Sequence, residues 1–184
     1  MRELRNRRAR RDAGFTLVDL LFVIAIIGLI ASIAIPGMMR ARGAAQSASA
    51  LATMRVLNSG ELSFAISCGL GFYAPDLPSL GIRPPGSSDA FLAPDLTGGA
   101  SFIKSGYEFS LAATPLAGAP GSCNGIAPGT TAPSYAAVGD PLDAGAAAPR
   151  YFGTNSEGAI YEHTASLASV MPENGPPPAG APVK

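Results

Sequence analysis

The sequence has no tryptophan, one histidine and two cysteines. A lone His163 argues against a histidine-based metal site within one chain. Nothing in its surroundings supports a Ser-His-Asp triad either; Ser166 and Ser169 beside it read as surface residues. No GxxxxGK[ST] segment occurs, so energy for any mechanical work must come from another protein. Two cysteines are too few for a disulfide-dense scaffold. In an exported chain, Cys68 and Cys123 would form one bridge closing a long loop. Enzyme chemistry and a cofactor have no residue pattern to rest on, and neither is expected.

Charge is also missing from one long stretch. Between Leu20 and Met39 there is no charged residue. Phe15 to Ile35 is 21 residues, about 30 Å of helix, which matches the hydrocarbon thickness of a bilayer. A buried soluble helix this uniformly apolar needs a large protein around it, and 184 residues do not supply one.

What precedes the run is basic. Arg2, Arg5, Arg7, Arg8, Arg10 and Arg11 face only Glu3 and Asp12, so residues 1–14 carry +4 and the remainder carries −4. This asymmetry puts residues 1–14 in the cytoplasm and the rest outside. An acidic remainder argues against general nucleic-acid binding, and Arg83, Lys104 and Arg150 are too scattered to form a patch. A secretory signal also begins basic and then apolar, but its apolar part is shorter and a small-residue cleavage site follows it. Here Pro36-Gly37-Met38-Met39-Arg40 follows instead, and Ala41-Arg42-Gly43-Ala44-Ala45 is only a weak candidate for such a site.

Ala44 to about Ser67 is Ala-rich and free of proline, and reads as a continuation of the helix. Leu51, Met54, Leu62 and Ala65 share a stripe, but Arg55 and Asn58 interrupt it. Gly and Pro, 22 and 17 in all, concentrate later in the chain. Residues 69–105 therefore read as a loop-rich connection. Strand-like runs follow at Tyr107–Leu111, Ser134–Val138, Tyr151–Thr154 and Ala159–Tyr161, the last two flanking the turn sequence Asn155-Ser156-Glu157-Gly158. A sheet head over 106–170 and a mobile Pro-rich tail over 171–184 complete the plan. The expected class is α+β, with a long N-terminal helix over 15–68, membrane-spanning over about 15–39, and an antiparallel sheet of three to four strands. Asp140, Asp143 and Glu157 lack calcium-loop spacing and read as solvated turn residues, so no metal is expected.

Where the basic leader meets the apolar run stands Gly14-Phe15-Thr16-Leu17-Val18-Asp19-Leu20-Leu21. This resembles the prepilin signature of type IV pilins and type II secretion pseudopilins. The resemblance implies a cut by prepilin peptidase between Gly14 and Phe15, then N-methylation of the Phe15 amine. It implies that Asp19, where the family usually has glutamate, is the carboxylate used in assembly. Gly28 and Ser32 form a small-xxx-small pair suited to close helix approach. Pro36 removes a helix hydrogen bond at Ser32, so a kink or local melting is expected there; in resembling filaments the stretch matching Gly28 to Pro36 is often unwound. The implied protein is a pilin-like structural subunit, with a minor role favoured, held in the inner membrane and then built into a pilus or secretion pseudopilus. Its implied partners are prepilin peptidase, other pilin subunits, an inner-membrane assembly machine and membrane lipid. The alternative is a single-pass membrane-anchored periplasmic binding or enzymatic domain.

Overall fold

The computed structural model describes residues 15–143 and 149–183. The leader, including Gly14, lies outside the described residues. One helix, α1, runs Leu17–Ser67 and contributes to two compact units, 1–40 and 41–184.

Within the first unit the helix is apolar on every side and nothing in that unit covers it. Its most apolar window is 0% buried, and Leu17, Phe22, Leu29, Ile33 and Met38 are all exposed. An apolar, uncharged surface of this length is stable only in lipid or against other apolar helices. Pro36 lies inside the helix without interrupting it. In the single chain the segment from Gly28 to Pro36 is α-helical throughout.

In the second unit, α1 packs on a six-stranded antiparallel meander with spatial order β1 to β6. The strands are β1 Ser101–Lys104, β2 Tyr107–Ala112, β3 Ala136–Pro141, β4 Tyr151–Asn155, β5 Ile160–His163 and β6 Ala181–Pro182. This corrects the expectation of three to four strands. A four-residue helix, α2, at Leu77–Leu80 and a 3-10 turn at Pro94–Leu96 precede β1. Asp76 caps α2 by accepting from the Ser79 amide at 2.9 Å.

Strand alternation divides the sheet into two faces. Tyr107, Phe109, Leu111, Ala137 and Phe152 join Ala50, Met54, Leu57 and Phe64 of α1 in the main core. The Phe102 and Phe109 rings stack at 5.1 Å there. Val138 and Tyr161, on the other face, pack with Leu167 and Met171. Gly139 and Gly153 set the sheet's close approaches. A Cβ at Gly139 would stand 2.7 Å from the Phe109 ring, and one at Gly153 would stand 2.8 Å from Met171 Sδ.

The expected mobile tail is instead pinned to the sheet. Asn155 Nδ2 donates to the Pro172 and Gly175 carbonyls at 3.1 and 2.6 Å. The Glu173 carboxylate accepts from the hydroxyls of Thr114 at 2.6 Å and Ser134 at 3.1 Å. Val183 N–H donates to the Ile160 carbonyl at 2.8 Å. Prolines cannot donate to a ladder, so side chains supply most of the anchoring.

Cys68 and Cys123 form a disulfide. It joins the segment after α1 to the loop before β3 across a separation of 55 residues, a closure expected to stabilise by about 4 kcal/mol.

The α1 face that meets the sheet is Ala50, Met54, Leu57, Glu61 and Phe64, with Cys68 continuing it just past the helix end, all buried. Leu62 and Arg55 point to solvent. Asn58, half-buried beside the core face, is a hydrogen-bond hub. Its Oδ1 accepts from Tyr135 and Thr154 hydroxyls, each at 2.9 Å, and its Nδ2 donates to the Gly158 carbonyl at 3.0 Å. Asn58→Ala removes all three bonds and takes the Tyr135 hydroxyl's partner away, so it is expected to destabilise the head by about 2 kcal/mol. Val56→Ala, on the exposed side of the same helix, should change stability by less than about 0.5 kcal/mol. Denaturant unfolding of both variants checks this, and equal midpoints would refute the hub.

Candidate functional site: the helix start and the apolar span

The helix begins on a reciprocal hydrogen-bond arrangement between Thr16 and Asp19. The Thr16 amide donates to Asp19 Oδ2 at 3.1 Å, and the Thr16 hydroxyl donates to the same oxygen at 2.6 Å. The Asp19 amide donates in turn to Thr16 Oγ1 at 3.2 Å. This is a capping box, with Thr16 as N-cap and Asp19 three residues on. It satisfies two amides that the first turn leaves without helical partners. The carboxylate also sits at the positive end of the helix dipole. Asp19 thus has a local role that the resemblance alone does not supply. The signal was present in the sequence as Thr-x-x-Asp before an apolar run.

Phe15 is 79% exposed at the head of this turn, adjacent to the capping residue. Gly28 leaves open space on the helix surface: beyond the helix's own backbone and its chain neighbours, no atom of the described residues lies within 4 Å of where its Cβ would be. Ser32 directs its hydroxyl to the Leu29 carbonyl at 2.7 Å, which hides the polar group from an apolar surrounding.

The carboxylates considered for calcium do other work. Asp140 accepts from the Ser166 hydroxyl, and Glu157 accepts from the Gly175 amide at 3.2 Å. Among the described residues no group of three or more His, Cys, Asp or Glu is placed to hold a metal ion. Lys104 pairs with Asp95 at 3.9 Å, and Arg150 pairs with Glu162 while lying over the Phe152 ring.

One buried acid was missed. Glu61 is 0% exposed in the core. Its Oε2 accepts from the Ala74 amide at 2.9 Å, and its Oε1 has no hydrogen-bond partner among the described residues. Burial, opposed only by the Ala74 bond and reinforced by the Asp76 charge, raises its pKa from 4.5 to about 8. The acid is therefore mostly neutral at pH 7. Tyr135 is likewise pushed up, by burial and by the charges of Glu61 and Tyr73.

Comparison with known proteins bears on the N-terminal segment. Residues 9–35 match the profile described as the prokaryotic N-terminal methylation motif. The helix start built on Thr16 and Asp19 lies inside that match. The N-terminal segment is thus similar to that of the type IV pilin and pseudopilin family. A relative is the type IV major pilin protein PilA of Myxococcus xanthus (strain DK1622), 37% identical over 54 residues. The alignment covers 29% of this chain and only 24% of that protein's length. No solved structure matches the chain.

Proposed function

We propose that the chain is a pilin-like structural subunit, stored in the inner membrane by α1 and assembled through that same helix into a filament. The observation that carries this reading is an apolar helix exposed on all sides that opens on a capped carboxylate within a methylation motif. An ordinary anchor needs the apolar length. It has no need of an acid near the membrane edge, where charge is costly unless paired.

The sequence of events follows from the chemistry. Prepilin peptidase hydrolyses the Gly14–Phe15 amide on the cytoplasmic side. This releases the +4 leader and frees the Phe15 amine, which is then N-methylated. The resulting ammonium stands four residues from Asp19, on its own or an adjoining subunit, and the two neutralise each other in a low-dielectric setting. An assembly machine then draws the subunit out, and α1 exchanges lipid for neighbouring helices. The open space at Gly28 favours close helix approach in that setting.

The test is the mature N-terminus. In cells with prepilin peptidase, mass spectrometry should find the chain starting at N-methylated Phe15. Gly14→Leu should abolish the cut, because a bulky side chain occupies the space the peptidase needs for backbone. A native protein that keeps residues 1–14 would refute the reading in favour of a single-pass anchored domain.

A further inference from the structure

Charge is segregated along the mature chain. From residue 41 to 67, α1 carries Arg42, Arg55 and a single carboxylate, the buried Glu61. Residues 70–184 carry nine carboxylates against Arg83, Lys104, Arg150 and Lys184. Arg55 makes no hydrogen bond or ion pair among the described residues. Asp89, Glu108 and Glu157 are exposed and hold no ion pair among the described residues. A cationic helix and an acidic head that do not satisfy each other within one chain are complementary between chains.

Arg55 also stands at a shaped place. It borders an open cleft of about 390 Å³ between α1 and the β4–β5 turn. Leu51, Ile160 and Val183 give the cleft an apolar lining, and Asn58 bonds the Gly158 carbonyl across it. Continuing the Asn58 row of α1 at four-residue spacing, Leu62 and Ile66 are exposed, at 53% and 76%. An apolar floor with one cation at its rim accepts an aliphatic side chain next to a carboxylate. The chain's own head offers such a pair, with exposed Ile103 of β1 opposite exposed Glu108 of β2.

We infer that the Arg55 cleft and the exposed α1 face beside it dock a second copy of this chain, whose head supplies a carboxylate to Arg55. The inference rests on the filament reading above and names a contact within it. Lipid is the lesser fit: a headgroup would meet Arg55 but would leave the cleft floor uncovered.

The experiment compares Arg55→Glu and Arg55→Lys in the full chain, expressed with the cognate assembly machine. Arg55→Glu should lower sheared filament, relative to membrane-held protein, by roughly tenfold or more, because it sets a carboxylate against an acidic surface. Arg55→Lys should assemble nearly as well as the parent. The lysine also gives an amine for zero-length carbodiimide cross-linking. In cells grown with mixed nitrogen isotopes, the cross-linked peptides should be hybrids joining position 55 of one copy to a head carboxylate of another. If Arg55→Glu assembles like the parent, or if cross-links arise only within one copy, the inference is overturned. If the parent itself never leaves the membrane, the filament reading fails. Hybrid cross-links on membrane-held chains then decide the docking by themselves: their presence upholds the contact and their absence overturns it.

Discussion

At pH 9, Glu61→Gln is expected to be more stable than the parent by several kcal/mol, while at pH 4 the two should be nearly equal. The parent binds a proton at Glu61 in the folded state up to about pH 8, but loses it near 4.5 when unfolded. Between those values the unfolded chain holds one proton fewer, so stability falls as pH rises, by about 1.4 kcal/mol per unit. The contribution is fully present below 4.5, is eroded through the window, and is gone above about 8. The groups facing the carboxyl cannot rescue it. Asp76 repels its charge and only the Ala74 amide favours it. Glutamine keeps an oxygen for Ala74 and places an amide where Oε1 stands unpaired. Urea unfolding of the full chain in detergent at pH 4, 7 and 9 measures this. Other groups titrate alike in both proteins and cancel in the difference. Parallel pH curves would show that Glu61 is solvated and ionised, and the buried-acid account would fail.

Glu61 also explains why the head-facing stripe of α1 was hard to read. Ala50, Met54, Leu57, Glu61, Phe64 and Cys68 recur at spacings of four and three, the period of a buried helix face. A glutamate at the fourth position breaks the pattern for any reading that assigns acids to solvent. Leu62 beside it, exposed in the structure, drew the apparent stripe off by a sixth of a turn or more. Periodicity reports where apolar residues fall, and here the core contains an acid and the surface a leucine.

The sheet was legible where strands alternate and illegible where they do not. β2 follows its alternation, and the Asn155–Gly158 turn forms as expected, with the Gly158 amide bonding the Asn155 carbonyl at 2.8 Å. β1 was hidden among glycines, although Ser105-Gly106, both at positive φ, is a tight hairpin turn. β6, two residues long, was hidden by Pro182. The tail's fixity comes from Asn155, Glu157 and Glu173, which reach it from elsewhere in the sequence or fold back from it. No local pattern encodes such contacts. At the helix start the residues were legible but their hydrogen bonds were not, because the resemblance directed attention to Asp19 as a charge and away from Thr16.

That pairing gives the sharpest test of the filament reading, since Asp19 now has two separable duties. It accepts hydrogen bonds from Thr16, and in the proposed mechanism it neutralises the Phe15 ammonium. Asp19→Asn keeps an oxygen for Thr16 and deletes the charge. Thr16→Ala deletes the cap hydroxyl and keeps the charge; losing a cap costs only about 1 kcal/mol. An unpaired charge in a water-poor helix bundle costs several kcal/mol. Asp19→Asn is therefore expected to lower the ratio of filament to membrane-held protein by roughly a hundredfold, with insertion and cleavage intact. Thr16→Ala should lower it only a few-fold. Asp19→Glu should assemble, because glutamate serves both as a capping-box partner and as a carboxylate. Asp19→Lys should be the most impaired, with two cations together. The opposite ordering, with Asp19→Asn assembling and Thr16→Ala failing, would make Asp19 a helix cap alone. The need for an acid at the membrane edge would then vanish, and with it the observation that separates a filament subunit from a simple anchor.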